Sequence, residues 1–98
     1  MHKHTQSTLL KQAAIMATLA LESTTNSDMT RTIKDLKSYQ ASLMMVKDGE
    51  LKPFAHQAQK LVRSAIKYLH QRTDANLEVA THHRDKLSDM MRAHMGRE

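Results

Sequence analysis

Cysteine is absent from the 98 residues, and glycine, proline and aromatic residues are scarce. Without a thiol, the sequence can supply no disulfide, no thiolate zinc site and no cysteine nucleophile. Two glycines and one proline are too few for the corners of a turn-rich β protein. A core with so few aromatic rings must be built from Leu, Ala, Met, Ile and Val, which gain less per residue on burial. These absences favour a small helical protein that a partner or self-association helps to stabilise.

Long apolar runs are also lacking. The longest apolar region, Leu9 to Leu21, is interrupted by Lys11, Gln12 and Thr18, and it is too short for a bilayer core of ~30 Å. A signal peptide is the rival interpretation of this region, but residues 22–24 offer no clear small-x-small cleavage site. We therefore expect a cytoplasmic protein with no membrane partner.

Hydrophobic periodicity predicts an all-α fold. Apolar residues recur at intervals of three and four, which predicts helices near residues 5–22, 28–47, 53–72 and 74–95. The architecture is expected to be a three- or four-helix bundle or an open helical array, in one domain over residues 1–98. The first helix is apolar almost all round and is expected to be the central one. A capping pair, Thr73 and Asp74, favours a break between the third and fourth helices over one long rod.

Helix ends and core faces can be predicted in the same way. Asn26 or Ser27 is expected to cap the second helix, Gly49 to end it in the left-handed conformation, and Pro53 to begin the third. The second helix is expected to bury one face, interrupted by Gln40 and built from Met29, Ile33, Leu36, Leu43 and Met44. The fourth has a shallower apolar face, interrupted by Arg84 and built from Leu77, Ala80, Leu87, Met91 and Met95.

The third predicted helix has the most informative polar face. Five basic residues follow one another on it at steps of four, three, four and three: His56, Lys60, Arg63, Lys67 and His70. At 100° per residue they lie within about 80° of one another along about 21 Å. No Asp or Glu occurs between Glu50 and Asp74, so no ion pair within the helix neutralises them. The face either docks on phosphates or an acidic protein surface, or is a solvated surface whose acids come from another helix.

Base-specific recognition of nucleic acid is not indicated. The connection of residues 47–52 is longer than the tight turn of a helix-turn-helix unit. Phe54 and Tyr68 fall on the apolar side of the third helix, where they cannot stack on bases. Non-specific contact with phosphates remains compatible with the sequence.

Histidine and methionine are frequent, but their spacing does not predict a metal site. No His-x-x-x-His or Glu-x-x-His pattern occurs, and the adjacent His82 and His83 point about 100° apart on a helix. Three methionines lie near His94: Met90, Met91 and Met95. Such a group could hold Cu(I), but adaptable packing or a protein-binding patch is the favoured interpretation. We expect no metal and no cofactor.

The sequence favours a non-enzymatic binding protein. No Gly-rich phosphate loop or nucleophile elbow is present. The leading hypothesis is docking on an acidic surface of a nucleic acid, or of a protein that handles nucleic acid, as an inhibitor of the phage or mobile-element type would do. The five basic residues would provide attraction, and Met91 and Met95 would provide apolar anchors. The alternative is a structural homo-oligomer, such as a homodimer that pairs the weak faces of the second and fourth helices.

Overall fold

The computed structural model describes residues 3–22 and 29–95, with positions 3, 4 and 95 described by their backbone alone. These residues form four α-helices, α1 (Lys3–Glu22), α2 (Met29–Leu43), α3 (Lys52–His70) and α4 (Asp74–Met95), and no strand. The helices pack against one another, which confirms the all-α prediction. The predicted caps Asn26 and Ser27 lie outside the described residues. No helix in the described part of the chain is long and apolar enough to cross a membrane.

The central helix is α3, and the expectation that the first helix would be central was wrong. α3 has the most extensive contacts with the other helices and buries seven side chains. α1 buries one side only. The small residues Ala13 and Ala17 lie on that side and let the helix approach the bundle closely. On its other side, Ile15 and Leu19 remain 60% and 58% exposed. An apolar composition all round therefore does not mean burial all round in this bundle.

The end of α2 also differs from the prediction. The helix stops at Leu43, before the expected end near residue 47, and a turn carries Met45 and Val46 onward through hydrogen bonds to Ser42 and Leu43 (N···O 3.0 and 3.2 Å). Met44 follows the last residue of α2; its amide still donates to the Gln40 carbonyl (3.3 Å), but its side chain is 70% exposed and does not join the predicted core face. The other predicted apolar residues do pack inward: Ile33, Leu36 and Leu43 are buried, and Met29 is partly buried.

Asp48, rather than Gly49, organises the connection to α3. The predicted left-handed conformation of Gly49 is not found. The Asp48 carboxylate instead accepts hydrogen bonds from the amides of Glu50 and Leu51 (3.0 and 3.2 Å). The Asp48 carbonyl then accepts from the amide of Lys52, the first residue of α3 (3.0 Å). This turn sets the position at which α3 begins.

The predicted break between the third and fourth helices is confirmed. Thr73 caps α4, because its hydroxyl accepts from the amide of Asn76 (3.1 Å) and its carbonyl accepts from the amide of Leu77 (3.0 Å). The Asn76 side chain donates back to the carbonyl of Gln71 (2.9 Å), which closes the turn. On the apolar face of α4, Ala80 and Leu87 are buried, while Leu77 and Met91 are partly buried.

Candidate functional site

The polar side of α3 faces outward because its opposite side forms the centre of the core. Leu61, Val62 and Ala65 are fully buried there. A helix has 3.6 residues per turn, so positions half a turn away from these must point to solvent. The predicted basic residues occupy those positions, and all five are exposed: His56, Lys60, Arg63, Lys67 and His70.

The five basic side chains are not neutralised by neighbouring helices. None of them forms an ion pair with a carboxylate among the described residues. The ion pair of Arg84 with Asp85 (3.3 Å) lies within α4 and does not involve this surface. The charge of the face is therefore left to interact with solvent ions or with an external anion.

The structure adds Lys52 to the five predicted residues. α3 begins at Lys52, so this exposed side chain lies four residues before His56 on the same face. The helical step of four was visible in the sequence, but a helix predicted to start at Pro53 excluded it. We call the six side chains together the basic face; it extends for about 27 Å along α3.

Helix α4 brings more basic residues to one edge of this face. The pKa of His83 is lowered below 6.5, first by its partial burial and then by the neighbouring charges of His82, Lys60 and Lys86. Lys60 belongs to α3, whereas His82, His83 and Lys86 belong to α4, so the two helices bring basic side chains together at this edge. Only the tertiary structure brings Lys60 beside these residues of α4, because it lies more than twenty residues from each of them in the sequence.

A buried glutamine fixes this edge. The Gln57 side chain is only 4% exposed, and its Nε2 donates to the carbonyl of His83 (3.0 Å) and contacts the His83 Nδ1 (3.2 Å). Both hydrogens of the amide are used if Nδ1 is unprotonated and accepts, which agrees with the lowered pKa of His83. Nothing in the sequence distinguishes Gln57 from other polar residues on the flank of an amphipathic helix, so this contact with α4 could not be predicted.

Of the two methionines predicted as anchors, Met91 lies apart from the basic face. Met91 is partly buried and lines an open groove of about 810 Å³ between α1 and α4, and no residue of the basic face lines this groove. The structure thus does not join Met91 and the basic face into one site. Met95 ends α4, but its side chain lies outside the described residues.

Three histidines of α4 contact other aromatic or imidazole rings. His94 meets Phe54 edge to face, with ring centroids 5.1 Å apart, and its Nε2 lies 3.9 Å from a Glu50 oxygen. The His82 and His83 rings are tilted, with centroids 5.7 Å apart. Within the described residues, no three His, Asp or Glu side chains are grouped so that they could hold a metal ion.

Comparison of the chain with protein-family models, with curated proteins and with solved structures finds no match.

Proposed function

We propose that the protein is a non-enzymatic binding protein that docks the basic face of α3 on the phosphate backbone of a nucleic acid and acts by occupying it. The observation that supports this proposal is a line of six exposed basic side chains with no carboxylate paired to it among the described residues. A line of cations attracts the regular line of charges on a nucleic acid through release of condensed counterions.

The surroundings of the basic face favour phosphates over a protein partner. Cores of protein interfaces are enriched in aromatic residues and depleted of lysine. Phe54 and Tyr68, the aromatic residues of α3, pack partly buried against the core. The Arg72 guanidinium lies 5.6 Å from the Tyr68 ring centroid and covers that ring, so stacking on bases has no support either. Binding without base recognition is the mode that remains.

Fluorescence anisotropy with a labelled DNA duplex of arbitrary sequence, over a series of salt concentrations, tests the proposal. The four Lys and Arg residues of the basic face predict that log K falls against log salt with a slope of about −3 to −4. Replacing three of them together, Lys60→Glu, Arg63→Glu and Lys67→Glu, should abolish measurable binding. Because all three are exposed, each change should alter the free energy of unfolding by about 0.5 kcal/mol or less.

A matched control separates the site from net charge alone. Arg31, Lys34 and Lys37 are also exposed, but on α2, and reversing these three to Glu changes the net charge by the same amount. This variant should retain most of the duplex binding. Equal losses in the two triple variants would contradict a site on α3. Binding of the wild-type chain to poly-glutamate but not to duplex would refute the nucleic-acid partner and favour an acidic protein.

A further inference from the structure

The outer side of α1 carries a short stripe with a cation at one end, two apolar side chains in the middle and a carboxylate at the other end. All four side chains are exposed: Lys11, Ile15, Leu19 and Glu22. Steps of four, four and three place them within about 80° of one another over about 17 Å. Neither charged end forms an ion pair with another described residue.

Next to this stripe lies the open groove between α1 and α4. Ile15 and Leu19 form one of its walls, while the buried side chains of Leu61 and Leu87 reach its floor. The protruding apolar residues and the groove therefore belong to the same patch of surface. A patch that carries both shapes can pair with itself about a two-fold axis, because the protruding residues of each copy can enter the groove of the other.

We propose that this patch is a homodimer interface, in which α1 packs antiparallel against α1 of a second copy. The order of charges supports this arrangement. In an antiparallel pair, Lys11 of each copy lies beside Glu22 of the other, which gives two symmetric ion pairs at the ends of the contact. A parallel pair would place like charges together. Between the charged ends, Ile15 and Leu19 of each copy enter the groove of the other and leave water.

The occupant is a second copy because the stripe is complementary to itself in charge, and the stripe and the groove are complementary to each other in shape. This interface differs from the one expected from the sequence, which used the faces of α2 and α4. It does not depend on the proposed function. Since α1 packs on the buried side of α3, the dimer leaves the basic face of each copy exposed. Two such faces on one particle would raise the avidity for a long polyanion.

Light scattering on a sizing column, from micromolar to millimolar protein, tests the dimer. The wild-type chain should approach twice the monomer mass of 11.2 kDa. The double variant Ile15→Lys, Leu19→Lys should raise the dissociation constant about a hundredfold or more, because it places charge in a desolvated contact. The matched control is Val79→Lys, which changes an exposed aliphatic residue of α4 that does not line the groove and should leave the dimer intact.

A charge swap tests the antiparallel arrangement without altering the apolar contact. Lys11→Glu alone should weaken the dimer about tenfold, because each new carboxylate meets a second carboxylate. Adding Glu22→Lys should restore the wild-type affinity. A wild-type chain that stays at 11.2 kDa at millimolar concentration would refute the dimer. The same result is expected if the groove binds a different protein instead of a second copy. A double charge variant as weak as the single one would refute the antiparallel pairing. Loss of the dimer leaves duplex binding by α3 measurable, so the two proposals fail separately.

Discussion

Two buried glutamines, Gln6 and Gln57, connect helices of the described part of the chain through polar contacts. The Gln6 Oε1 atom accepts from the amides of Lys47 and Asp48 (3.0 and 3.1 Å), which ties α1 to the connection between α2 and α3. Gln57 ties α3 to α4 through His83. A partly buried backbone amide or carbonyl left without a hydrogen-bond partner costs free energy, so each glutamine stabilises the contact between the two segments that it joins.

Replacing Gln6 with Ala should lower the free energy of unfolding by about 1–3 kcal/mol. The substitution leaves the amides of Lys47 and Asp48 without their side-chain acceptor, and water must enter to replace it. Chemical denaturation measures the change. Gln12→Ala on the exposed side of the same helix is the control and should stay within about 0.5 kcal/mol of wild type. Equal effects at the two positions would show that the Gln6 hydrogen bonds contribute nothing.

His83 should make folding sensitive to acid. Its pKa is lowered by partial burial and then by His82, Lys60 and Lys86, so the unfolded chain takes up a proton at a higher pH than the folded one. The stabilisation is complete above about pH 6.5 and is lost as the pH falls through that value toward the lower pKa of the folded state. NMR titration of the ring should give a pKa below 6.5.

The variant His83→Asn tests this assignment. Asn keeps an acceptor for the Gln57 amide but cannot titrate. Its stability should therefore fall less steeply than that of wild type between pH 6.5 and mildly acidic pH. His70→Asn is the control because it removes an exposed histidine that is not among the groups lowering the pKa of His83. A His83 ring that titrates above 6.5 would contradict the predicted direction.

At the scale of elements, short polar motifs determine where helices begin and end. Asp48 arranges the turn before α3, and Thr73 caps α4. Thr73 also separates two helices that no glycine or proline divides. Its hydroxyl satisfies one of the free amides at the start of α4, which makes a new helix favourable at that position.

Thr73→Ala should destabilise the fold by about 1 kcal/mol, the usual cost of losing a helix cap. Thr73→Ser keeps the hydroxyl and should retain most of the stability. Thermal unfolding followed by circular dichroism measures both variants. If the Ala and Ser variants were equally stable, the hydrogen bond to the Asn76 amide would not cap the helix in solution.

At the scale of the whole molecule, stability is concentrated around α3. Leu61 has no exposed surface and lies at the centre of the helix that contacts all the others. Proteins of this size are stable by only about 5–15 kcal/mol, so one cavity in such a core removes a large part of the total. The exposed residues of α1, by contrast, contribute little to the fold of a single copy.

Leu61→Ala should lower the free energy of unfolding by about 3–5 kcal/mol, because the packed neighbours cannot collapse fully onto the cavity. Val79→Ala on α4, where the side chain is 52% exposed, should change it by about 0.5 kcal/mol or less. Urea denaturation at low protein concentration measures both changes in the monomer. A small effect at Leu61 would mean that α3 is not the centre of the core.

Much of this protein follows from the sequence alone. The periodicity of apolar residues predicted four helices near their observed positions, and the same period predicted that five basic residues share one exposed face of α3. These predictions succeed because helical spacing is local: a residue's neighbours on a face are fixed by positions three and four away. The break at Thr73 was predictable for the same reason, since a cap acts within one turn.

Only the tertiary structure decided which helix is central, where α2 ends and what lies beside the basic face. The composition of α1 predicted a central position. Its burial, however, depends on which of its sides the other helices cover, and Ile15 and Leu19 remain exposed. The contact of Gln57 with His83 joins residues 26 positions apart. Such pairings depend on how helices are arranged in space, and the free energy that selects the arrangement is shared by the whole core rather than by any local pattern.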